Sequence, residues 1–379
     1  MTIQKGESNG GDTPLLTPGQ PGETSSLGLF WPPKETDYYR AKGFFKKAIL
    51  SPTHFDRFMW KWNSLVESDR FTTNGREETN DEKDKKNYSR VTLRAVVANE
   101  FLQIHSGELQ EMVEAIIPLE GGVGNVFACT SLVYFGKNHP NRKSDDNTNK
   151  SCIENVRNAL SEEERTPEQM IATAKNNGYT LRHIDKNKVY TNTNKEVQQL
   201  FALYQPFGWS QAQVVELLNS PNRLIAVAKK DGVIVSAGIA EMATESIRFD
   251  RNQSCALDMV ELTDAATLVV HERKGLYSAV STILLQKLAK KYHNSPNELI
   301  IFGESNASAK GVLRTSKHQG RTFAAQIGRD FGYGESGMLN QHVPILDRGE
   351  KIETARDRYN NFYPTFINKS KLLSKYGNN

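Results

Sequence analysis

The sequence predicts an α+β protein with a mixed, mostly antiparallel sheet flanked by helices, and three observations support this class. Two strand-like runs, Leu224–Ala228 and Val233–Met242, flank Asp231-Gly232, a strong signal for an antiparallel hairpin. Leu257–Tyr292 then reads as a strand, a glycine-bearing loop and a long helix. Before the hairpin, capping sequences followed by apolar residues three and four apart predict helices.

Composition narrows the functional classes. The 379 residues exceed the roughly 100–200 of one typical domain, so we expect two folded units. The net charge of +4 is small for this length and argues against a nucleic-acid partner. We find no apolar run long enough to span a membrane and no secretory signal, so we expect a cytoplasmic protein without a membrane partner. The three cysteines stand far apart with no metal-binding spacing, so we expect a reducing compartment and no metal.

Four segments divide the chain. Residues 1–33 are rich in Gly, Pro, Ser and Thr and are expected to be disordered. Residues 34–176 are expected to form an N-terminal α/β domain of unknown function, and 177–347 a second domain. Residues 348–379 are interpreted as a charged C-terminal tail.

The N-terminal domain mixes helical and strand patterns. Its first stretch, from Lys34 to about Leu65, is basic and aromatic, which favours a packed helix pair and leaves a membrane-surface helix as the alternative. The glycines of Gly121–Asn125 indicate a plain turn, because no Gly-Lys-Ser/Thr follows them. Further elements are predicted in this order: a strand over Val91–His105, a helix over Glu108–Ile117 and a helix from Thr166-Pro167 to about Gly178.

The second domain is expected to alternate helices and strands around the hairpin. Two capping boxes, Thr193–Glu196 and Ser210–Gln213, begin two helices. After the long helix, we predict a strand over Glu298–Gly303, a helix over Ala307–His318 and two final strands within Thr322–Leu346.

The loop His271–Gly275 stands between the strand and the long helix. The first N–H groups of a helix have no partner within it, and the helix end is positive. Such an end is a ready site for a phosphorylated ligand. Arg273 and Lys274 add positive charge there, although both could equally be solvated surface residues.

This order of elements resembles the GNAT acyltransferase superfamily. Setting the first glycine of the family's loop pattern, Arg/Gln-x-x-Gly-x-Gly/Ala, on Gly275 places Glu272 and Tyr277 at the flanking motif positions. The segment Glu261–Leu268 and the later Phe331–Ile345 are similar to those of bacterial beta-lysine N-acetyltransferases. The resemblance covers about residues 179–346. It implies a GNAT-like fold and a transferase that uses acetyl-CoA, or another acyl-CoA, as co-substrate.

The resemblance also implies where the acyl-CoA would bind. The pyrophosphate would lie on the loop and helix end, the pantetheine arm on the fourth-strand backbone, and an asparagine of the fifth strand would contact that arm. The implied cofactor-binding residues are Leu268, Val269, Val270, Arg273, Lys274, Gly275, Leu276, Tyr277, Ser278 and Asn306.

Attack by an amine requires that its ammonium lose a proton, and a carboxylate can accept that proton. Glu261 is our candidate base and Asp264 a candidate substrate anchor, while Tyr333 is a candidate acid for the leaving thiolate. Because Glu261 and Asp264 are three apart on a strand, they should face opposite sides unless a bulge intervenes. Either carboxylate could instead serve a structural ion pair.

We therefore expect an N-acetyltransferase (acyltransferase) acting on a small amino-acid-like amine acceptor. One alternative is a non-catalytic GNAT-like protein that binds a ligand or partner. Another is an acyltransferase that takes its acyl group from acyl carrier protein. Whether the chain forms a homodimer is left open.

Overall fold

The computed structural model describes part of the chain, in two sheets with helices packed on their faces. The described residues are 40–67, 90–121, 126–139, 165–207, 209–250, 253–306, 331, 334–335, 337, 339–344 and 359–377. The predicted α+β class is confirmed, and the N-terminal region forms a sheet of its own.

The N-terminal sheet has four strands in the order β1-β2-β4-β3. The pair β1–β2 is parallel, and β2–β4 and β3–β4 are antiparallel. Its elements are β1 (Arg40–Leu50), α1 (Phe55–Val66), β2 (Arg90–Ala98), α2 (Asn99–Ile104), α3 (Ser106–Leu109), β3 (Val113–Pro118) and β4 (Thr130–Asn138).

Three predictions for this region are wrong in part. The expected helix pair from Lys34 to Leu65 is β1 followed by α1. Phe44 and Phe45 of β1 are both buried, one on each face, so the strand lacks the alternation that would have revealed it. The predicted strand 91–105 ends at Ala98, and the predicted helix 108–117 is α3 followed by β3, which pairs with β4.

The second sheet has the strand order β10-β12-β9-β8-β7-β6-β5, with β11 also pairing with β12. Among its described pairs, β8–β9 is parallel and the others are antiparallel. Its strands are β5 (Thr180–His183), β6 (Arg223–Lys230), β7 (Val233–Asp250), β8 (Gln253–Thr267), β9 (Glu298–Asn306), β10 (Gly334–Glu335), β11 (Leu339–Pro344) and β12 (Tyr359–Asn368). The predicted hairpin at Asp231-Gly232 joins β6 and β7.

Helices cover both faces of the second sheet. They are α4 (Pro167–Asn176), α5 (Lys195–Tyr204), α6 (Gln211–Asn219), α7 (Leu276–Tyr292) and α8 (Lys369–Tyr376). Ser210 forms the predicted capping box of α6, and Thr166, predicted as an N-cap, forms a capping box on α4. The capping box predicted at Thr193–Glu196 is wrong, because α5 begins after Asn194, whose side chain makes no cap hydrogen bond. The long helix α7 packs on one face with α4 and α8. On the other face, α5 and α6 cover one end and the N-terminal sheet covers the other.

The C-terminal segment is not a free tail in its described part. Residues 359–368 form β12, which pairs antiparallel with β9, and α8 follows directly. Asn, Tyr and Pro residues interrupt the apolar positions of this segment, so it shows no regular strand pattern. Pro364, Thr365, Phe366 and Ile367 are buried in the sheet. The predicted helix 307–318 lies outside the described residues.

Candidate active site

The parallel strands β8 and β9 separate partway along their length. Their pairing runs from Leu257–Glu298 to Glu261–Phe302 and stops there. β8 nevertheless continues to Thr267, and β9 to Asn306. The two strands therefore leave an opening between them, bordered by backbone groups that are not paired across it. We call the space between residues 262–267 and 303–306 the strand opening.

A β-bulge shapes the β8 side of the strand opening. Thr263 pairs with Ile239 and Ala266 pairs with Ala237, so two residues of β8 stand opposite one of β7. Asp264, in the bulge, has φ of 47°, a left-handed conformation that is uncommon for residues other than glycine. A bulge shifts the alternation of the side chains by one residue. Accordingly, Met259 before the bulge and Ala266 after it both pack on the face opposite α7.

The bulge is held by helix α5. The hydroxyl of Tyr204 donates a hydrogen bond of 2.7 Å to the carbonyl of Asp264. Trp209 stacks on the Tyr204 ring with a centroid distance of 5.1 Å. Burial, and secondarily the negative charge of Asp264, raises the pKa of Tyr204 well above its usual value, so the hydroxyl keeps its proton as a donor. The carboxylate of Asp264 is exposed beside this contact.

Glu261 lies at the vertex of the strand opening, as the last β8 residue paired with β9. Leu257 and Met259 contact the N-terminal sheet, so the alternation of β8 turns Glu261 to the same side. Ile300 and Phe302 of β9 also contact the N-terminal sheet, so the alternation of β9 turns Glu304 toward that sheet as well. Two carboxylates thus face the N-terminal sheet where the strands separate.

Arg94 and Tyr134 of the N-terminal sheet meet these carboxylates. The Arg94 guanidinium carbon lies 5.4 Å from the centre of the Phe302 ring and 5.9 Å from that of Tyr134. Burial alone would lower the pKa of Arg94, but Tyr134, Glu261 and Glu304 outweigh it and raise the pKa. Burial also raises the pKa of Tyr134, while Arg94 acts in the opposite direction. We call Arg94, Tyr134, Glu261 and Glu304 the interface cluster.

The loop before α7 ends in a left-handed glycine. Gly275 is the N-cap residue with φ of 71°, and a Cβ atom there would lie 2.9 Å from Cγ2 of Thr173 on α4. Glycine therefore allows both the turn and the close approach of α4. Arg273 is also left-handed, at φ 61°, and Glu272, Arg273 and Lys274 are exposed.

The prediction that Leu268–Val270 belong to the strand is wrong. β8 ends at Thr267, and Val269–His271 form a short 3-10 turn. The Leu268 N–H is already bound to the Val235 carbonyl, at 2.9 Å. Val269 and Val270 are 51% and 81% exposed, so they present side chains to solvent beside the loop. The backbone that borders the strand opening is instead that of 262–267.

Residues on both sides of the predicted domain boundary surround the loop. The Tyr179 hydroxyl is 2.9 Å from Nδ1 of His271, and Thr173 of α4 lies beside Gly275. Arg165 donates a weak hydrogen bond of 3.4 Å to the Ser278 hydroxyl in the first turn of α7. Arg165 and Thr173, which precede the predicted second domain, therefore lie at the loop and the first turn of α7. A guanidinium is thus present at the first turn of α7.

The first turn of α7 directs its side chains inward. Leu276 and Ser278 are buried, and the Tyr277 ring packs edge-on against Phe331, with a centroid distance of 6.4 Å. Burial raises the pKa of Tyr277. Because these side chains turn into the core, they do not cover the end of the helix axis, where the N–H groups point.

The structure gathers most of the predicted residues into two neighbouring groups. Glu261 and Asp264 border the strand opening, and Arg273–Ser278 form the loop and first turn beside it. Asn306 ends β9, opposite Phe362 of β12. Tyr333 lies outside the described residues. Sequence reasoning missed Arg94, although a charged residue inside the apolar strand Arg90–Ala98 is a recognisable sign of a buried polar contact.

Within the described residues, no helix is long and apolar enough to cross a membrane. No group of three or more His, Cys, Asp or Glu side chains in this part of the chain could hold a metal ion.

Comparisons with known proteins give structural matches alone. No protein-family profile and no curated sequence matches the chain. The ribosomal-protein-S18-alanine N-acetyltransferase of Escherichia coli is 13% identical, with 50% of this chain and 93% of that chain covered and a TM-score of 0.33. Arabidopsis thaliana NAA60 in complex with acetyl-CoA is 11% identical, with 51% and 99% covered and a TM-score of 0.34. An aminoglycoside acetyltransferase from an uncultured soil metagenomic sample, in complex with sisomicin, is 17% identical, with 35% and 80% covered and a TM-score of 0.25.

Proposed function

We propose that this protein is an acyl-CoA-dependent N-acetyltransferase of the GNAT type, acting on the amine of a small amino-acid-like acceptor. One observation carries the proposal. The parallel strands β8 and β9 separate beyond Glu261–Phe302, and the strand that borders the opening leads directly into the loop and N-terminus of α7. A channel for an extended thioester arm and a helix end for its phosphates are thus joined in one site.

The loop suits a pyrophosphate. The left-handed Gly275 begins α7 without a side chain over its first N–H groups, and Arg273 and Lys274 are exposed cations next to it. A helix N-terminus and nearby positive charge favour an anion together. Arg165, at the first turn, adds a third positive charge. In this proposal, Glu272 stays in solvent and is not a phosphate contact.

The strand opening suits the acyl-bearing arm. The 262–267 backbone offers N–H and C=O groups that β9 does not use, and the bulge at Asp264 changes their direction. An N–H aimed at the thioester carbonyl would stabilise the negative charge that develops there during attack. Asn306, at the end of β9, is proposed to contact the arm from the other side.

Glu261 is proposed as the base. It lies at the vertex of the strand opening, so an amine entering from the face opposite α7 would meet its carboxylate beside the thioester. The carboxylate takes a proton from the ammonium, directly or through water, and the neutral amine then attacks the acyl carbon. Asp264, exposed on the same border, is proposed to anchor the acceptor, and Tyr333 to protonate the departing thiolate.

The decisive measurement is acetyl-CoA binding by calorimetry, followed by release of free CoA thiol with a panel of amino acids, polyamines, aminoglycosides and short peptides. Binding with amine-dependent CoA release supports the proposal. Absence of acetyl-CoA binding would overturn it. Binding without turnover across the panel would favour a non-catalytic module, and acylation from acyl carrier protein alone would favour the other donor.

A further inference from the structure

The N-terminal sheet reaches the vertex of the strand opening, although it belongs to a separate set of strands. We propose that this sheet forms one wall of the acceptor pocket, and that Arg94 is a positioning residue that holds the Glu261 carboxylate ionised and oriented as the base. This inference rests on the proposed function. It assigns the N-terminal region a part in turnover.

Packing fixes the position of the interface cluster. The Tyr134 and Phe302 rings meet edge to face across the two sheets, with a centroid distance of 6.5 Å and an interplanar angle of 77°. Arg94 lies over Phe302 at 5.4 Å, and Phe302 is the strand partner of Glu261. The guanidinium is therefore anchored by aromatic contacts directly beside the last paired residues before the opening.

The charges of the cluster explain why a guanidinium stands there. Glu261 and Glu304 point to the same side of neighbouring strands, and two carboxylates so placed repel each other. Glu241, opposite Glu261 on β7, points to this side as well but makes an ion pair with Arg223. Arg94 offsets that repulsion, because a planar guanidinium can donate to two acceptors in a fixed geometry. Arg94 is partly buried, so its effect on the carboxylates is less screened than that of a surface lysine.

The positive charge of Arg94 favours the form of Glu261 that amine acylation requires. The base must be ionised before it can accept the ammonium proton, and a neighbouring positive charge favours the ionised form. Without Arg94, the Glu261 carboxylate would face a second carboxylate with no positive charge of this residue beside it. Since the loop and α7 bind the phosphates without the N-terminal sheet, donor binding should not depend on Arg94.

The test compares Arg94→Met with wild type in the full-length protein, using acetyl-CoA and the most active amine of the panel. Arg94→Met should lower kcat at pH 7 at least tenfold and leave the acetyl-CoA KM within about twofold. The acidic limb of its pH–rate profile should move to higher pH. Arg94→Lys should restore part of kcat and part of the wild-type pH–rate profile, because lysine returns the positive charge without the two parallel donors of a guanidinium. Thr92→Val, a buried and nearly isosteric change two residues away on the same strand, is the matched control and should change neither.

The possible outcomes separate this inference from the proposed function. A wild-type kcat and pH profile in Arg94→Met would overturn the inference alone. A loss of acetyl-CoA binding equal to the loss of turnover would also overturn it, by indicating a merely structural role. If Arg94→Met does not fold, Arg94→Lys becomes the test. A shift of the acidic limb of its pH–rate profile to higher pH supports the inference, and an unshifted limb overturns it. Wild-type protein that releases no CoA with any amine overturns the proposed function, and this inference with it.

Discussion

The Tyr204 hydroxyl and the Asp264 carbonyl are joined by a 2.7 Å hydrogen bond between helix α5 and the bulge of β8. The bond fixes a residue with positive φ at the border of the strand opening. A strained conformation persists only where its surroundings hold it. Helix α5 therefore holds one border of the strand opening through the hydroxyl of Tyr204.

Tyr204→Phe should loosen the bulge. The change removes one hydrogen bond and keeps the ring, so the free energy of unfolding should fall by about 0.5–1.5 kcal/mol. We expect kcat to fall more than this stability loss explains, because the bulge shapes the backbone that is proposed to hold the thioester. Tyr190→Phe is the control, since Tyr190 makes a similar 2.9 Å bond to the Asp185 carbonyl away from the strand opening. Equal kcat in the two variants would contradict the prediction.

Gly275→Ala should weaken acetyl-CoA binding. A Cβ atom at φ 71° costs about 1–2 kcal/mol, and here it would also meet Thr173 at 2.9 Å. The start of α7 should shift, which calorimetry with acetyl-CoA would report as a reduced affinity. Gly232→Ala is the matched control, because Gly232 has φ 77° with open space around it. A similar loss of stability in both variants, with unchanged affinity in Gly275→Ala, would argue against a phosphate site at this helix end.

Glu261→Gln should lower kcat by about 10²–10⁴, the usual contribution of a general base. Acetyl-CoA affinity should stay close to that of wild type, because the proposed phosphate site lies at the loop and the first turn of α7. Glu241→Gln provides a matched control on the neighbouring strand. Glu241 pairs in register with Glu261 but is exposed and makes an ion pair with Arg223. Steady-state rates of CoA release are compared for the two variants, and Glu241→Gln should keep the wild-type rate. Full activity of Glu261→Gln would exclude Glu261 as the base.

Acidification should destabilise the protein through His183. Burial, and secondarily Lys287, lowers its pKa below 6.5, while a backbone hydrogen bond at Ile283 opposes the shift. The unfolded chain therefore binds this proton more readily, so the free energy of unfolding falls as the pH drops below about 6.5. Denaturant unfolding between pH 8 and 5 should give a flatter pH dependence for His183→Gln than for wild type. His293→Gln, at an exposed position, should keep the wild-type slope.

Local sequence signals predicted the elements that depend on local chemistry. The hairpin at Asp231-Gly232, the caps at Thr166 and Ser210, and the strand-loop-helix around Gly275 each follow from a few neighbouring residues. The strand β1 did not, because Phe44 and Phe45 are buried on opposite faces by partners distant in sequence. Its helical pattern was a consequence of that two-sided burial.

The candidate site also contains residues that local sequence predicts and residues that only long-range packing places. Glu261 and Asp264 were candidates from their segment alone, but whether they could share a face depended on the bulge, which pairing with β7 produces. Arg94 could not be placed at the site from sequence, since its position depends on the packing of one sheet on another. Contacts between residues far apart in the chain carry no local pattern that a single sequence reveals.

The position of β12 in the second sheet means that the sheet can be completed only late in synthesis. This strand, 359–368, lies between β9 and β10, so both neighbours are synthesised before the strand that joins them. One edge of β9 therefore stays unpaired until β12 emerges, and an unpaired edge is open to pairing with other chains. Synthesis that stalls before residue 368 should expose this edge next to the proposed site, and a chaperone that covers strand edges should raise the yield of folded protein.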